Sequence, residues 1–258
     1  MSAGAGAGLA SPLAAGGVFA AAIATASASG RVAVIPDIKC VSPQAGELAG
    51  GRDPVEMARR FVDCGAPVLS VVTEHENFGG SLELLQEVAT ATQIPILRKD
   101  FITSPRMLEE TVAYGASAVL LICATTDEAT LRMLYCEALA FGLEPLVEAH
   151  NAHELAFAQD LGARLIGINN RDITDLERDE GDSDLTAALA PQVTADCLLI
   201  SESGIRSAAD AQHAARAGAH AVLVGTALWQ ADDPEALYQS LRVERIEQEK
   251  VSDPCVRL

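Results

Sequence analysis

The sequence predicts a single α/β domain of the (β/α)8 TIM-barrel type, on three observations. The chain has 258 residues, near the roughly 250 typical of that fold. From Val32 onward, short β-branched apolar runs alternate with longer amphipathic segments, as expected of strands buried on both faces and joined by helices. Strand-end residues Lys39, Val72, Lys99, Ile122, Glu148, Asn169, Glu202 and Gly225 follow one another at intervals of 21 to 33 residues. Each interval is about one βαβ repeat of ~30 residues. An open doubly wound sheet shares the alternation, but it usually has fewer strands, and no GxGxxG follows the first run.

The expected strands are Val32–Ile38, Val68–Val72, Pro95–Leu97, Ala118–Ile122, Leu143–Val147, Leu165–Ile168, Cys197–Ser201 and Ala221–Val224. Helical patterns cover Pro54–Cys64, Ser81–Ala91, Pro105–Tyr114, Asp127–Phe141, Ala152–Leu161 and Ala208–Ala217, with Pro234–Glu249 after the last strand. Several open on Ser, Asp or Pro and close near Gly, which suits helix caps. Residues 1–31 read as an Ala/Gly-rich, partly disordered extension that opens on a disordered Ala-Gly repeat, with a short helix over Phe19–Ala26 leading into the first strand. The barrel spans 32–250 and a tail 251–258.

Composition narrows the function. Hydrophobic residues make up 49% and charged residues 21%, the balance of a chain with a real core. The net charge of −18 repels polyanions, which disfavours nucleic acid and acidic membrane as partners. The six cysteines form no CxxC and no regular framework, so a reducing, cytoplasmic compartment is expected. The five histidines form no HExxH or similar cluster, so neither a metal nor another cofactor is expected. The N-terminal stretch has no basic residue before Arg31 and no run of about 18 strongly apolar residues, unlike a signal peptide or membrane span.

Of the 18 basic residues only Lys39, Lys99 and Lys250 are lysines, and the first two sit inside apolar runs. Residues at the carboxyl ends of barrel strands converge on one mouth, where the chemistry of this fold occurs. Those positions hold Asp37 and Lys39, Lys99 and Asp100, Glu148, Asn169 and Arg171, and Glu202 and Ser203. One buried charge is often a structural salt bridge, but five strands sending acids, lysines and an amide to one rim favour a catalytic site. Ser203-Gly204 and Gly225-Thr226 follow the last two strands. Glycine-bearing turns there form the phosphate site common in barrels, with N–H groups aimed at the anion.

These segments resemble one family. Ile-Pro-Asp-Ile-Lys-Cys-Val-Ser-Pro (35–43), Leu-Ser-Val-Val-Thr-Glu (69–74), Phe-Gly-Gly-Ser (78–81) and Leu-Arg-Lys-Asp-Phe-Ile (97–102) are similar to indole-3-glycerol-phosphate synthase. So are Leu-Val-Glu-Ala-His (146–150), Ile-Gly-Ile-Asn-Asn-Arg (166–171) and Glu-Ser-Gly-Ile (202–205). The resemblance runs in order from about Phe19 to Leu237.

It implies a carboxy-lyase that closes the indole ring of 1-(2-carboxyphenylamino)-1-deoxyribulose 5-phosphate, releasing CO2 and water. By motif position, Lys99 is the general acid for closure. Lys39 holds the carboxylate or phosphate side and assists dehydration, and Glu148 is its acid/base partner. Asn169 and Glu202 orient the substrate or the lysines. Ser42, Arg171, Ser203, Gly204, Gly225 and Thr226 hold phosphate, while Phe101 and Phe78 wall the aromatic ring; ordinary packing is the alternative for the two phenylalanines. Three departures stand out. Asp37 replaces the family's usual glutamate, Cys40 and Gln44 replace a basic residue and a second serine, and the N-terminal extension that helps cover the substrate is shortened. They leave open a divergent synthase, a paralogue acting on another amino-deoxyketose phosphate, or a weakly active barrel kept as a complex partner. Association with itself or with another pathway enzyme stays open too.

Overall fold

The computed structural model describes residues 17–171, 173–176, 181 and 183–245. The first 16 residues of the predicted extension and the predicted tail 251–258 lie outside these.

Eight parallel strands close into a barrel: β1 (Ala33–Ile38), β2 (Leu69–Val72), β3 (Ile96–Lys99), β4 (Ala118–Ile122), β5 (Glu144–Ala149), β6 (Leu165–Asn169), β7 (Leu198–Glu202) and β8 (Ala221–Val224). Each pairs with the next, and β8 returns to β1 with Ala33 opposite Ala221. Every predicted strand is present, most of them displaced by a residue or two. One such change puts Lys99 inside β3, where it lies opposite Val72.

Strand alternation sorts the side chains into two cores. Ala33, Ile35, Leu97, Leu120, Leu146, Leu165, Ile200 and Leu223 fill the barrel interior. Their neighbours Val34, Val71, Val119, Val147, Ile166, Leu199 and Val222 face outward and pack in the second core with helix residues such as Met57, Phe61, Leu85, Leu108, Leu131 and Leu155. Around the barrel lie α2 (Pro54–Asp63), α3 (Leu82–Thr92), α4 (Pro105–Ala113), α5 (Glu128–Ala140), α6 (Ala152–Asp160), α7 (Asp184–Leu189) and α8 (Ala208–Ala217), followed after β8 by α9 (Thr226–Gln230) and α10 (Pro234–Leu241). Caps start them where expected: Asp53, Ser81, Asp127, Asn151, Ser207 and Asp233 accept N–H groups of their first turns.

α10 ends at Leu241, short of the predicted Glu249, and 246–249 lie outside the described residues. Here the chain leaves the helix to pair with the start of the barrel. Val32 N–H donates to Val243 O, and Arg245 N–H donates to Gly30 O. The remaining helix, α1 (Val18–Ser27), is one residue longer at each end than expected. Its Phe19 and Ile23 are fully buried in the interior core. Glu144, the first residue of β5, accepts the Phe19 and Ala20 N–H groups at 2.6 and 2.9 Å. This carboxylate at the positive end of α1 places the helix under the amino ends of the strands. Residues 18–27 therefore floor the barrel. Among the described residues no helix is long and apolar enough to cross a membrane.

Candidate active site

The inward alternation that fills the lower barrel with Leu and Ile switches to polar residues at the upper strand ends. Above Ile35 on β1 come Asp37 and then Lys39; above Leu97 on β3 comes Lys99; above Leu146 on β5 comes Glu148. Above Leu165 on β6 come Gly167 and Asn169, and above Ile200 on β7 comes Glu202. Register links them across strands: Glu148 is opposite Gly167, and Asn169 opposite Glu202. Glu148, Asn169 and Glu202 have no exposed surface, and Asp37 and Lys39 are nearly as buried. Taking a charge this far from water costs several kcal/mol even after relaxation, so a layer of them is a poor device for stability alone.

The layer opens upward into a cavity of about 540 Å³. Asp37, Lys39, Lys99, Arg171, Ser203, Gly204, Gly225 and Thr226 are among the residues that line it. Ser203 and Gly204 both have positive φ, 62° and 72°, so the turn after β7 is tight. Gly225 precedes α9 and lies against Asp37: a Cβ there would stand 3.1 Å from Asp37 Oδ2 and 3.5 Å from Lys39 Cε. A second, narrow crevice is lined by Phe78, Phe101, Leu120, Ile122 and Ile173. The two phenylalanine rings sit 6.5 Å apart at 49°, and Lys39 Nζ lies 5.7 Å from the Phe78 centroid. Lys39 and Lys99 line both spaces.

Neighbouring groups fix these side chains. Ser70 on β2 donates to Asp37 Oδ1 at 2.6 Å, inside the barrel, and Trp229 Nε1 on α9 donates to the Asp37 carbonyl at 2.9 Å. Arg171 N–H donates to Asn169 Oδ1 at 3.1 Å. Behind Lys99, buried Arg98 donates to Thr73, to the Met107 carbonyl and to Asp100, and Asp100 accepts the Phe101 N–H at 2.8 Å. Glu148 Oε1 lies 3.3 Å from His150 Nε2.

Of the predicted residues, Asp37, Lys39, Lys99, Arg171, Ser203, Gly204, Gly225, Thr226, Phe78 and Phe101 line the two spaces, Glu148, Asn169 and Glu202 lie in the buried layer beneath them, and Ser42 belongs to neither group. Ser42 is buried in the two-residue ribbon Val41–Ser42/Gly46–Glu47, its Oγ accepts the Ala45 N–H, and it is absent from the cavity wall. The ribbon folds back there and presents Gln44 and Ala45 instead. Arg206 and Gln230 also line the cavity, and sequence reasoning missed both. Arg206 could have been found, because it follows the Ser203-Gly204 turn by two residues. Ser70, His150 and Gly167 carry no chemical signal of their own in the sequence.

A family model described as indole-3-glycerol phosphate synthase matches residues 15–241. The chain belongs to the indole-3-glycerol phosphate synthase family. It is 44% identical over 218 residues to the indole-3-glycerol phosphate synthase of Opitutus terrae, covering 83% of this chain and 81% of that one. With the enzyme of that name from Pyrococcus furiosus it shares 43% over 204 residues, 79% of this chain and 89% of the relative. Among solved structures, thiamine phosphate pyrophosphorylase from Pyrococcus furiosus superposes with a TM-score of 0.59 at 17% identity, over 83% of this chain and 95% of that one. That likeness concerns the barrel alone. Family membership makes this synthase a decarboxylating, ring-closing carbon–carbon lyase of tryptophan biosynthesis.

Proposed function

We propose that the substrate 1-(2-carboxyphenylamino)-1-deoxyribulose 5-phosphate lies across the two spaces, its phosphate in the wide polar cavity and its aromatic ring in the crevice. One observation carries this reading: Lys39 and Lys99 line both spaces, so they stand where the ketone and the carboxylated ring carbon would meet. Ser203, Gly204, Gly225 and Thr226 supply N–H groups to the phosphate, with Arg171 as a fixed positive charge. Phe78 and Phe101 hold the ring.

Lys99 donates a proton to the ketone oxygen as the ring carbon attacks, and the new C–C bond then permits loss of CO2. Lys39 stabilises the carboxylate and serves the departing hydroxyl, while Glu148 exchanges the second proton of dehydration. Asn169 and Glu202 hold the amino-ribulose segment in the reacting geometry. Asp37, clasped by Ser70, gives Lys39 an anionic neighbour on the same face of the chain.

The test follows indole fluorescence on adding that substrate to the purified protein, for the wild type and for Lys99→Met. Proton donation is felt in the transition state and hardly in binding, so Lys99→Met should lower turnover by at least about 100-fold. It should bind a non-reactive phosphate analogue nearly as the wild type does. Wild-type turnover in Lys99→Met would exclude Lys99 as the proton donor to the ketone.

A further inference from the structure

Glu148 is wholly buried, yet the reaction in which it takes part exchanges protons with water. During a turnover the ketone oxygen gains one proton, the departing hydroxyl gains another, and the ring methylene gives one back. The carboxylate leaves as CO2, so one net proton enters from solvent per cycle. A buried carboxyl that gives or takes one of these must be reset.

The group beside it is His150, one residue beyond β5. Its Nε2 lies 3.3 Å from Glu148 Oε1, and its Nδ1 lies 3.2 Å from Oε2 of Glu154 in the first turn of α6. Glu154 is itself held in place: the His150 N–H donates to Oε2 at 2.8 Å and Asn151 Nδ2 donates to Oε1 at 2.6 Å. Exposure rises outward along the row, from 0% for the Glu148 side chain to 13% for His150 and 17% for Glu154. Burial opposes the charge on Glu154, but the bonds from His150 and Asn151 outweigh it and keep its carboxyl below the usual pKa. Across the Cys123–Thr125 turn, Cys123 Sγ lies 3.9 Å from the Glu154 carbonyl. Burial first, then the charges of Glu154, Glu148 and Glu128, push that thiol up to about 12, so it does not compete for the proton.

A neutral imidazole has one N–H, and here it faces a carboxylate at each nitrogen. A proton shared along the row can sit on Nε2 or on Glu148. In the first form Glu148 is a carboxylate able to accept from the substrate; in the second it is an acid able to donate.

We propose that His150, anchored by Glu154, is a positioning residue that carries protons between buried Glu148 and water. The proton crosses between Glu148 Oε1 and His150 Nε2, and the outer Nδ1 edge of the ring exchanges with solvent. No bond to carbon is made or broken in this step. Poor alignment without substrate is common for such contacts, which tighten when the site is occupied.

This rests on the acid/base role assigned to Glu148, so the two are tested apart. His150→Ala should lower kcat by about 10- to 100-fold, within the span that acid–base groups command, and leave KM within about threefold. Added imidazole should restore much of the loss in His150→Ala and none of it in Glu148→Gln. His150→Gln, closer in size and able to hydrogen-bond but not to relay a proton, should lose kcat similarly. Wild-type kcat in His150→Ala or His150→Gln, or a loss in His150→Ala that imidazole leaves untouched, overturns the relay. Full activity in Glu148→Gln instead overturns the role of Glu148 itself.

Discussion

Inside the barrel a single methyl group decides whether Glu202 can stand where it does. Gly167 faces inward on β6, between Leu165 and Asn169, and a Cβ at this position would overlap Glu202 Oε1. The carboxylate occupies the space that any other residue's side chain would need. Gly167→Ala should therefore cost about 1–3 kcal/mol through overpacking. It should also slow turnover by up to about 100-fold, because a displacement near 1 Å at the reacting centre is enough for that. Thermal melting and kcat measured on the same preparation check both effects, and unchanged kcat would mean that Glu202 has room to move without penalty. Gly167 also shows what was legible at this scale. Lys39, Lys99, Glu148, Asn169 and Glu202 could be read from the sequence because a charge or amide ending an apolar strand is chemically conspicuous. Ser70 under Asp37, His150 beside Glu148 and Gly167 under Glu202 work through partners from other turns of the chain, or from a face that the sequence does not mark. Ser42 is a different case: its residue type suits phosphate, and in the structure its Oγ accepts the Ala45 N–H in the ribbon after β1.

At the scale of elements the strands were readable to within two residues because apolar runs bounded by Gly, Pro or Asn have few other uses. The crossover between β6 and β7 was not. Among its described residues it carries the six-residue α7 with short 3-10 turns at Ile173–Asp175 and Ala190–Gln192, too short for a helical period to show. α1 was anticipated as an element but not in its place, since what places it is one long-range pair. Glu144 reaches across 125 and 124 residues to the Phe19 and Ala20 N–H groups. Removing both acceptors in Glu144→Ala should cost about 1–2 kcal/mol, as loss of a good helix cap does. In a domain of this size that corresponds to a fall in Tm of about 2–8 °C. Turnover below the melting range should stay at the wild-type level, because α1 lies at the end of the barrel away from Lys99 and Glu148. A matching loss of kcat would connect the floor of the barrel to its mouth.

Over the whole molecule, stability depends on closing the ring of strands, and the last seam runs through His220. This residue precedes β8. Its N–H donates to Leu199 O, its Nδ1 accepts the Leu199 N–H at 3.1 Å, and its carbonyl accepts the Ala33 N–H. One residue thus ties β7, β8 and β1 at the foot of the barrel. Accepting at Nδ1 requires an unprotonated nitrogen there. Burial first, and then the charge of Arg245, lower its pKa from 6.5 to about 4. In the unfolded chain the same imidazole takes its proton near pH 6.5. Between those values the unfolded state binds the proton and the folded state refuses it, so folding weakens as pH falls. The contribution is fully present above about pH 6.5, shrinks through the interval, and levels off below about pH 4. A shift of this size amounts to about 3 kcal/mol. Carboxylates such as Glu154, held below their usual pKa, withdraw their own contribution only as pH falls further. His220→Asn keeps an acceptor for the Leu199 N–H without a titrating group. Its urea-unfolding free energy should therefore decline less than that of the wild type between pH 6.5 and 4, by up to about 3 kcal/mol. Parallel curves for the two proteins across that interval would show that His220 is not the group that makes barrel closure sensitive to acid.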